Sequence, residues 1–193
     1  MKRSRAWLAL ATVLAAGAVL AAAAPTGTLD WQTARPWQAW RWWSAAFVHW
    51  SRWHLLSNLA GLALVGALGW VARVPRRSAA AWLLAWPLTH LGLLLRPDLA
   101  QYGGLSGVLH AGVAVAAWHL ARWQRGRERL VGLALLAGVA AKVLIEAPWG
   151  PALQHPPDWD IAIAPLAHAT GTAAGLIAAW CFDRRPAQAP SAA

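Results

Sequence analysis

The reactive groups of this otherwise apolar chain are a few serine, histidine and asparagine side chains set beside glycine. Ser106 stands in Gly103-Gly104-Leu105-Ser106-Gly107, and His168 in Ala167-His168-Ala169-Thr170-Gly171, with Gly175 four residues on. His54 and Asn58 frame His54-Leu55-Leu56-Ser57-Asn58. A serine hydroxyl becomes a nucleophile when a histidine within hydrogen-bond reach takes its proton. Flanking glycines such as Gly104 and Gly107 let backbone and substrate approach closely. A helix start adds unpaired N–H groups and a positive dipole end for a developing oxyanion. Residues four apart share a helix face, so His54 and Asn58 can donate to one point. Gly171 and Gly175 form a GxxxG face one turn below His168, which lets its helix approach a neighbour closely. Acyl transfer is the chemistry this set suits.

Composition restricts the elements that can hold these groups. The 193 residues are 59% hydrophobic and only 12% charged, against about 25% charged in soluble domains. Seven acidic side chains are too few to solvate a soluble enzyme of this size. Sixteen tryptophans among Ala, Leu and Val exclude a disordered chain. A single cysteine, Cys181, excludes a disulfide framework and a cysteine-rich zinc site. A helix crosses the bilayer core with about 20 mostly apolar residues. Six runs meet that need: Ala6–Ala24, Trp53–Ala72, Ser78–Leu95, Gly104–Gln124, Leu130–Ala147 and Ile161–Cys181. The expected fold is therefore all-α, a polytopic membrane protein of six transmembrane helices in one domain, with no room for a separate soluble domain. The third run contains Pro87, which is tolerated where neighbouring helices satisfy the freed carbonyl. The first run, preceded by Lys2, Arg3 and Arg5, also resembles a cleavable signal peptide. It is longer than a usual signal core, so a retained anchor is expected.

The net charge of +10 would suit nucleic acid, but its distribution points to a bilayer. With the N-terminus cytoplasmic, Lys2, Arg3, Arg5, Arg73, Arg76, Arg77, Arg122, Arg125, Arg127, Arg129, Arg184 and Arg185 fall inside. Only Arg35, Arg41, Arg52 and Arg96 fall outside, as the positive-inside rule requires. The basic charge is thus topological, and no nucleic-acid partner is expected. The outer segment 25–52 holds Trp31, Trp37, Trp40, Trp42, Trp43 and Trp50. So many rings favour a re-entrant or interfacial structure in the outer leaflet over an ordinary aromatic belt. In this topology the second, fourth and sixth spans run from outside to inside. His54, Asn58, Ser106 and His168 then reach the outer third of the membrane from three helices, although arginines alone set the orientation.

On these residues the chain resembles the rhomboid intramembrane serine proteases. The likeness covers nearly all of the six-helix chain. It includes Trp40-Arg41, Phe47-Val48-His49, His54-x-x-x-Asn58, Gly104-x-Ser106-Gly107 and Ala167-His168-x-x-Gly171-x-x-x-Gly175. The resemblance implies Ser106 as nucleophile and His168 as its base, with no carboxylate third member. It also implies an oxyanion hole of His54, Asn58 and the Ser106 N–H. The short chain and the string Gly104-Leu105-Ser106-Gly107-Val108-Leu109-His110 are most like the rhombosortase branch. That likeness implies a multi-pass enzyme of the bacterial inner membrane, cutting C-terminal Gly-Gly sorting anchors of exported proteins. Membrane-anchored proteins would be its substrates, with no cofactor or metal.

Two positions depart from the family pattern. His110 stands where many rhomboids carry a tyrosine packed on the catalytic histidine, which makes it a competitor for the role of base. His168 is preferred because it alone has the Gly171/Gly175 context. No carboxylate occurs between Asp30 and Asp98, where many rhomboids carry a glutamate. His90 and His119 are expected to pack rather than react. Lys142 and Glu146, four apart on the fifth span, either neutralise each other near the outer interface or bind a substrate terminus or headgroup; substrate binding is the expectation. Asp158 and Asp160 belong to a solvated outer loop, and the tail from Asp183 is expected to be disordered. Two other functions compete: a proteolytically inactive rhomboid-like binding protein, and a metal or haem site using His49, His54, His110 and His168. The first is disfavoured because all four active-site side chains are present. The second lacks an accompanying carboxylate or cysteine near the outer face.

Overall fold

The computed structural model describes residues 4–25 and 27–183. Of the tail expected to be disordered, 184–193 lies outside them, whereas Asp183 is ordered as the last residue of a helix. Seven α-helices are described: α1 (Arg5–Ala21), the single turn α2 (Arg41–Ser44), α3 (Arg52–Val71), α4 (Arg76–Leu91), α5 (Ser106–Trp123), α6 (Gly126–Ile145) and α7 (Pro165–Asp183). A 3-10 segment, Gly92–Leu95, continues α4. The protein is mostly helical, in keeping with an all-α bundle. Among the described residues, Arg52–Val71 and Arg76–Leu95 are long and apolar enough to cross a membrane by length and composition. The last helix begins at Pro165, four residues after the apolar run starts, because Ile163 is held by a two-way backbone bridge to Gln154. Proline suits that first helical position, where an N–H would have no partner.

The centre of the bundle is α5, whose Val108, Ala111, Ala114, Val115, Ala116 and Ala117 are buried. It packs most extensively on α7, while α4 packs on α7 and α6 leans on α5. Small residues set this spacing. A Cβ on Gly175 would stand 2.5 Å from the Ala111 carbonyl oxygen, and one on Gly171 would overlap the Gly107 carbonyl. On the other side, tryptophans knit α1, α3, α4 and α5 together. Trp7 lies against Trp82 with ring centroids 4.3 Å apart. The Trp7 Nε1–H donates to the Val65 carbonyl at 3.0 Å and the Trp82 Nε1–H to the Val108 carbonyl at 2.8 Å. Each indole thus buries its ring without leaving its N–H unpaired, which would be costly in an apolar interior. Elsewhere Leu20, Leu64, Val71, Leu130, Ile145 and Ile177 project outward and exposed. That much outward-facing apolar surface is what lipid contact requires and what soluble monomers avoid.

The chain orders its polar residues by end. Helices α3, α5 and α7 start with His54, Ser106 and His168 in or near their first turns, whereas Arg73, Arg76, Arg77, Arg122 and Arg125 lie at the opposite ends. At that basic end, Asp183 accepts from the indole N–H groups of Trp118 and Trp123 and pairs with Arg77 at 3.4 Å.

The tryptophan-rich segment is folded rather than a loose loop. After α2 it makes a 3-10 turn, Ala45–Phe47. A two-residue strand, β1 (Trp31–Gln32), pairs antiparallel with β2 (Gln101–Tyr102) in the register Trp31 to Tyr102. Trp31 is buried, whereas Trp37, Trp40, Trp43 and Trp50 are exposed. Arg41 holds the segment together. Its guanidinium donates to the Asp30 carbonyl at 2.6 Å, to the Gly27 carbonyl at 3.2 Å and to Gln38 Oε1 at 2.5 Å, and it pairs with the Asp30 carboxylate at 3.5 Å. Asp30 is wholly buried and Arg41 nearly so. Arg41→Ala should therefore strand a buried carboxylate and lower stability by about 3–5 kcal/mol. Thermal unfolding of the purified protein in detergent reads that loss.

Candidate active site

The β1–β2 ribbon delivers the chain into Gly103 and Gly104, and two residues later Ser106 opens α5. Gly104 has φ +146°, a conformation that a side chain would strain, and its added Cβ would stand 3.0 Å from His54 Nε2. Its N–H donates to the Ala45 carbonyl at 2.9 Å, tying the chain's approach to Ser106 to the tryptophan-rich segment. Leu105 precedes α5 and gives it no side-chain cap, so no oxygen of the N-cap side chain occupies the first N–H groups of the helix.

Ser106 Oγ and His168 Nε2 stand 2.9 Å apart. They come from helices 62 residues apart in sequence, and the α5–α7 contact explains the distance. Gly107 follows the serine, and its Cβ would meet the Ala167 carbonyl oxygen at 2.7 Å. The two backbones therefore touch within one residue of each reactive side chain. His110 lies below. Its Nδ1 is 2.8 Å from the Ser106 carbonyl oxygen, to which it donates, and its ring stacks on His168 with centroids 4.2 Å apart and planes at 14°. Of the two histidines considered for the base, His168 reaches the hydroxyl, and His110 stacks on its ring.

His54 is set by local sequence. Ser51 caps α3, its hydroxyl oxygen accepting from the His54 N–H at 3.0 Å, an arrangement worth about 1 kcal/mol to the helix. The Trp50 N–H donates to His54 Nδ1 at 3.3 Å, so the ring proton sits on Nε2. His54, Ser106 and His168 line one small cavity of about 50 Å³ with Trp50, Tyr102 and the 161–164 segment. Asn58 does not line it. It is buried one turn along, and its Nδ2 donates to the His54 carbonyl at 3.1 Å. The structure thus brings His54 to the serine and sets Asn58 behind it.

The implied absence of a carboxylate beside His168 is not what the structure contains. Glu146 Oε2 lies 2.6 Å from His168 Nδ1. Lys142 bonds the other oxygen of that carboxylate, Oε1. The four-residue spacing does make Lys142 and Glu146 partners, but α6 ends at Ile145 and the chain turns back, aiming Glu146 at a third helix. No spacing in the sequence signals that. Tyr102 was also missed: it is buried beside Ser106, its hydroxyl donating to the Gly104 carbonyl at 3.2 Å.

The remaining histidines take other places. His90 is fully buried, its Nδ1 2.5 Å from the Trp42 carbonyl oxygen, fastening α4 to the tryptophan-rich segment. His119 is buried in α5 toward the basic end. His49 stands edge-on to His54 at 4.8 Å, and burial pushes its imidazole below the usual range, against the Phe47 carbonyl contact that raises it. Among the described residues no group of three or more His, Cys, Asp or Glu side chains is arranged to hold a metal ion.

A helical bundle with apolar flanks and its polar side chains gathered at its two ends is the pattern of a membrane protein. Residues 36–185 match the family model described as the rhomboid domain, and the chain belongs to the rhomboid family. Members of that family are generally intramembrane serine proteases acting on membrane proteins. Among curated proteins the comparison finds no match.

The dependence of the Ser106–His168 distance on backbone contact is open to test. Gly171→Leu has no flexible neighbour to displace, so it should cost about 1–3 kcal/mol or more and separate the two side chains. A lowered unfolding temperature together with lost serine labelling by a fluorophosphonate is the expected result.

Proposed function

We propose that this protein is an active intramembrane serine protease using Ser106 and His168. The observation that carries the reading is the 2.9 Å contact between Ser106 Oγ and His168 Nε2 at the start of two helices packed backbone to backbone. Ser106 Oγ attacks the scissile carbonyl while His168 Nε2 takes the hydroxyl proton. The C–N bond then breaks, and the leaving amine receives that proton from His168. Water attacks the resulting ester, again through His168, and releases the serine. His54 Nε2–H and the Ser106 N–H serve the oxyanion. Asn58, bonded to the His54 carbonyl, supports the helix turn that aims His54. This supports an active enzyme over a rhomboid-like binding protein without catalysis.

In this reading six spans cross the membrane with the N-terminus cytoplasmic, and the site opens toward the outer face. The grouping of Arg73, Arg76, Arg77, Arg122 and Arg125 at the end opposite Ser106 supports that orientation. The enzyme sits in a bacterial inner membrane and cuts a C-terminal anchor near its outer end, beside a Gly-Gly pair. A transmembrane helix must unwind before its carbonyl reaches a serine, and each glycine weakens a helix by about 1 kcal/mol relative to alanine. Neither a cofactor nor a metal takes part in these steps.

Membranes carrying the wild-type protein should cleave a reporter with a Gly-Gly anchor. Ser106→Ala should abolish that cleavage while the protein remains folded. Changing the reporter glycines to leucine should also abolish it, and equal cleavage of both reporters would argue for a protease with no glycine requirement. His54→Ala should lower turnover by about 10²–10³, measured with the same reporter.

A further inference from the structure

Among the described residues Glu146 is the carboxylate bonded to His168, and its position is held from several sides. It follows the last residue of α6, where its N–H donates to the Lys142 carbonyl at 3.0 Å. Ala147 then adopts φ +46°, the left-handed conformation that turns the chain away from the helix. Gln154 Nε2 donates to the Glu146 carbonyl at 2.7 Å. Arg96, from the far end of the α4 extension, donates to the Pro148 and Gly150 carbonyls at 3.3 and 2.7 Å. The Glu146 side chain is 14% exposed and that of His168 is 8% exposed, whereas that of Lys142 is 49% exposed. The carboxylate therefore faces inward and its lysine partner outward.

The geometry points to Glu146 as a positioning residue for the base, completing a serine–histidine–glutamate relay that rests on the proteolytic role given above to Ser106 and His168. A carboxylate at 2.6 Å from His168 Nδ1 can only accept there, so it fixes the ring proton on Nδ1. The lone pair on Nε2 is then aimed at the Ser106 hydroxyl, 2.9 Å away. When Nε2 takes the hydroxyl proton, both ring nitrogens carry hydrogen, and the carboxylate lies against the imidazolium without taking its proton. Lys142 completes the arrangement. It balances the charge of Glu146 while the imidazole is neutral and occupies Oε1, leaving Oε2 for the histidine. His110, stacked on the other face of the ring, blocks rotation out of this line. The Lys142–Glu146 pair is thus part of the machinery of the base rather than a receptor for a substrate terminus.

The test compares wild type, Ser106→Ala, Glu146→Gln, and Glu146→Gln with Lys142→Met, all as full-length protein in detergent or membranes. Fluorophosphonate labelling, reporter kcat, reporter KM and unfolding temperature are measured for each. Removing the carboxylate partner of a base of this kind lowers turnover by up to about 10⁴. Glu146→Gln is expected to lose at least about 10² in kcat and in labelling rate, with KM and unfolding temperature close to wild type. The double variant should fold as well and remain as slow. Restored turnover in the double variant would overturn the proposal, because the pair would then only neutralise itself. A raised KM with unchanged kcat would also overturn it and assign the pair to substrate binding. Unfolding of Glu146→Gln with wild-type turnover in the folded double variant would do the same, assigning a structural role. Failure of the proteolytic reading itself looks different: wild type would then label no faster than Ser106→Ala.

Discussion

The contact of α5 with α7 through Gly107, Ala111, Gly171 and Gly175 is the constraint on which the site depends. No side chain lies between the two backbones at these points, so their separation is fixed by main-chain atoms. Ser106 and His168 stand at the ends of that contact, and their 2.9 Å separation is a consequence of it. Membrane helices gain little from hydrophobic association among lipid tails, so close packing of this kind must supply much of their specificity. The tryptophan-rich segment solves a second problem. It brings β1 to β2 and Ala45 to Gly104, which sets the angle at which the chain enters α5.

Much of this was legible in the residues. The depth shared by His54, Ser106 and His168 followed from counting helix turns from each polar residue, because a helix converts sequence position directly into height. The Gly171/Gly175 spacing named the face of α7 that meets its neighbour, since residues four apart lie on one side. The choice between His168 and His110 was harder. Both reach toward Ser106, and only the stacking of their rings separates the one that bonds the hydroxyl from the one beneath it.

Three features lay beyond the reach of spacing. Glu146 is placed by a reversal of the chain after α6, and a reversal carries no period. Asn58 shares a helix face with His54, yet its amide is drawn to the His54 carbonyl, a bond that competes with any role in the cavity. The ordering of segment 27–52 by Arg41 joins Gly27, Asp30 and Gln38. Such a network of buried polar groups is invisible to hydropathy, which records arginine and aspartate as surface residues.

Helix α6 differs from the rest of the bundle in how it will respond to the thickness of its bilayer. Only Gly132 among its residues is buried, and Leu130, Val131, Leu133, Leu144 and Ile145 are exposed along it. A helix whose apolar length does not match the surrounding hydrocarbon answers by tilting. Between α5 and α7 no rotamer can yield to such a tilt. Helix α6, by contrast, touches α5 backbone to backbone only near its start, where a Cβ on Gly132 would stand 2.5 Å from the Ala121 nitrogen, so a tilt pivots there and moves its far end. A change of membrane thickness therefore leaves serine and histidine in register and acts on the carboxylate at the end of α6. In the proposed relay, hydrophobic mismatch would reach the base through Glu146.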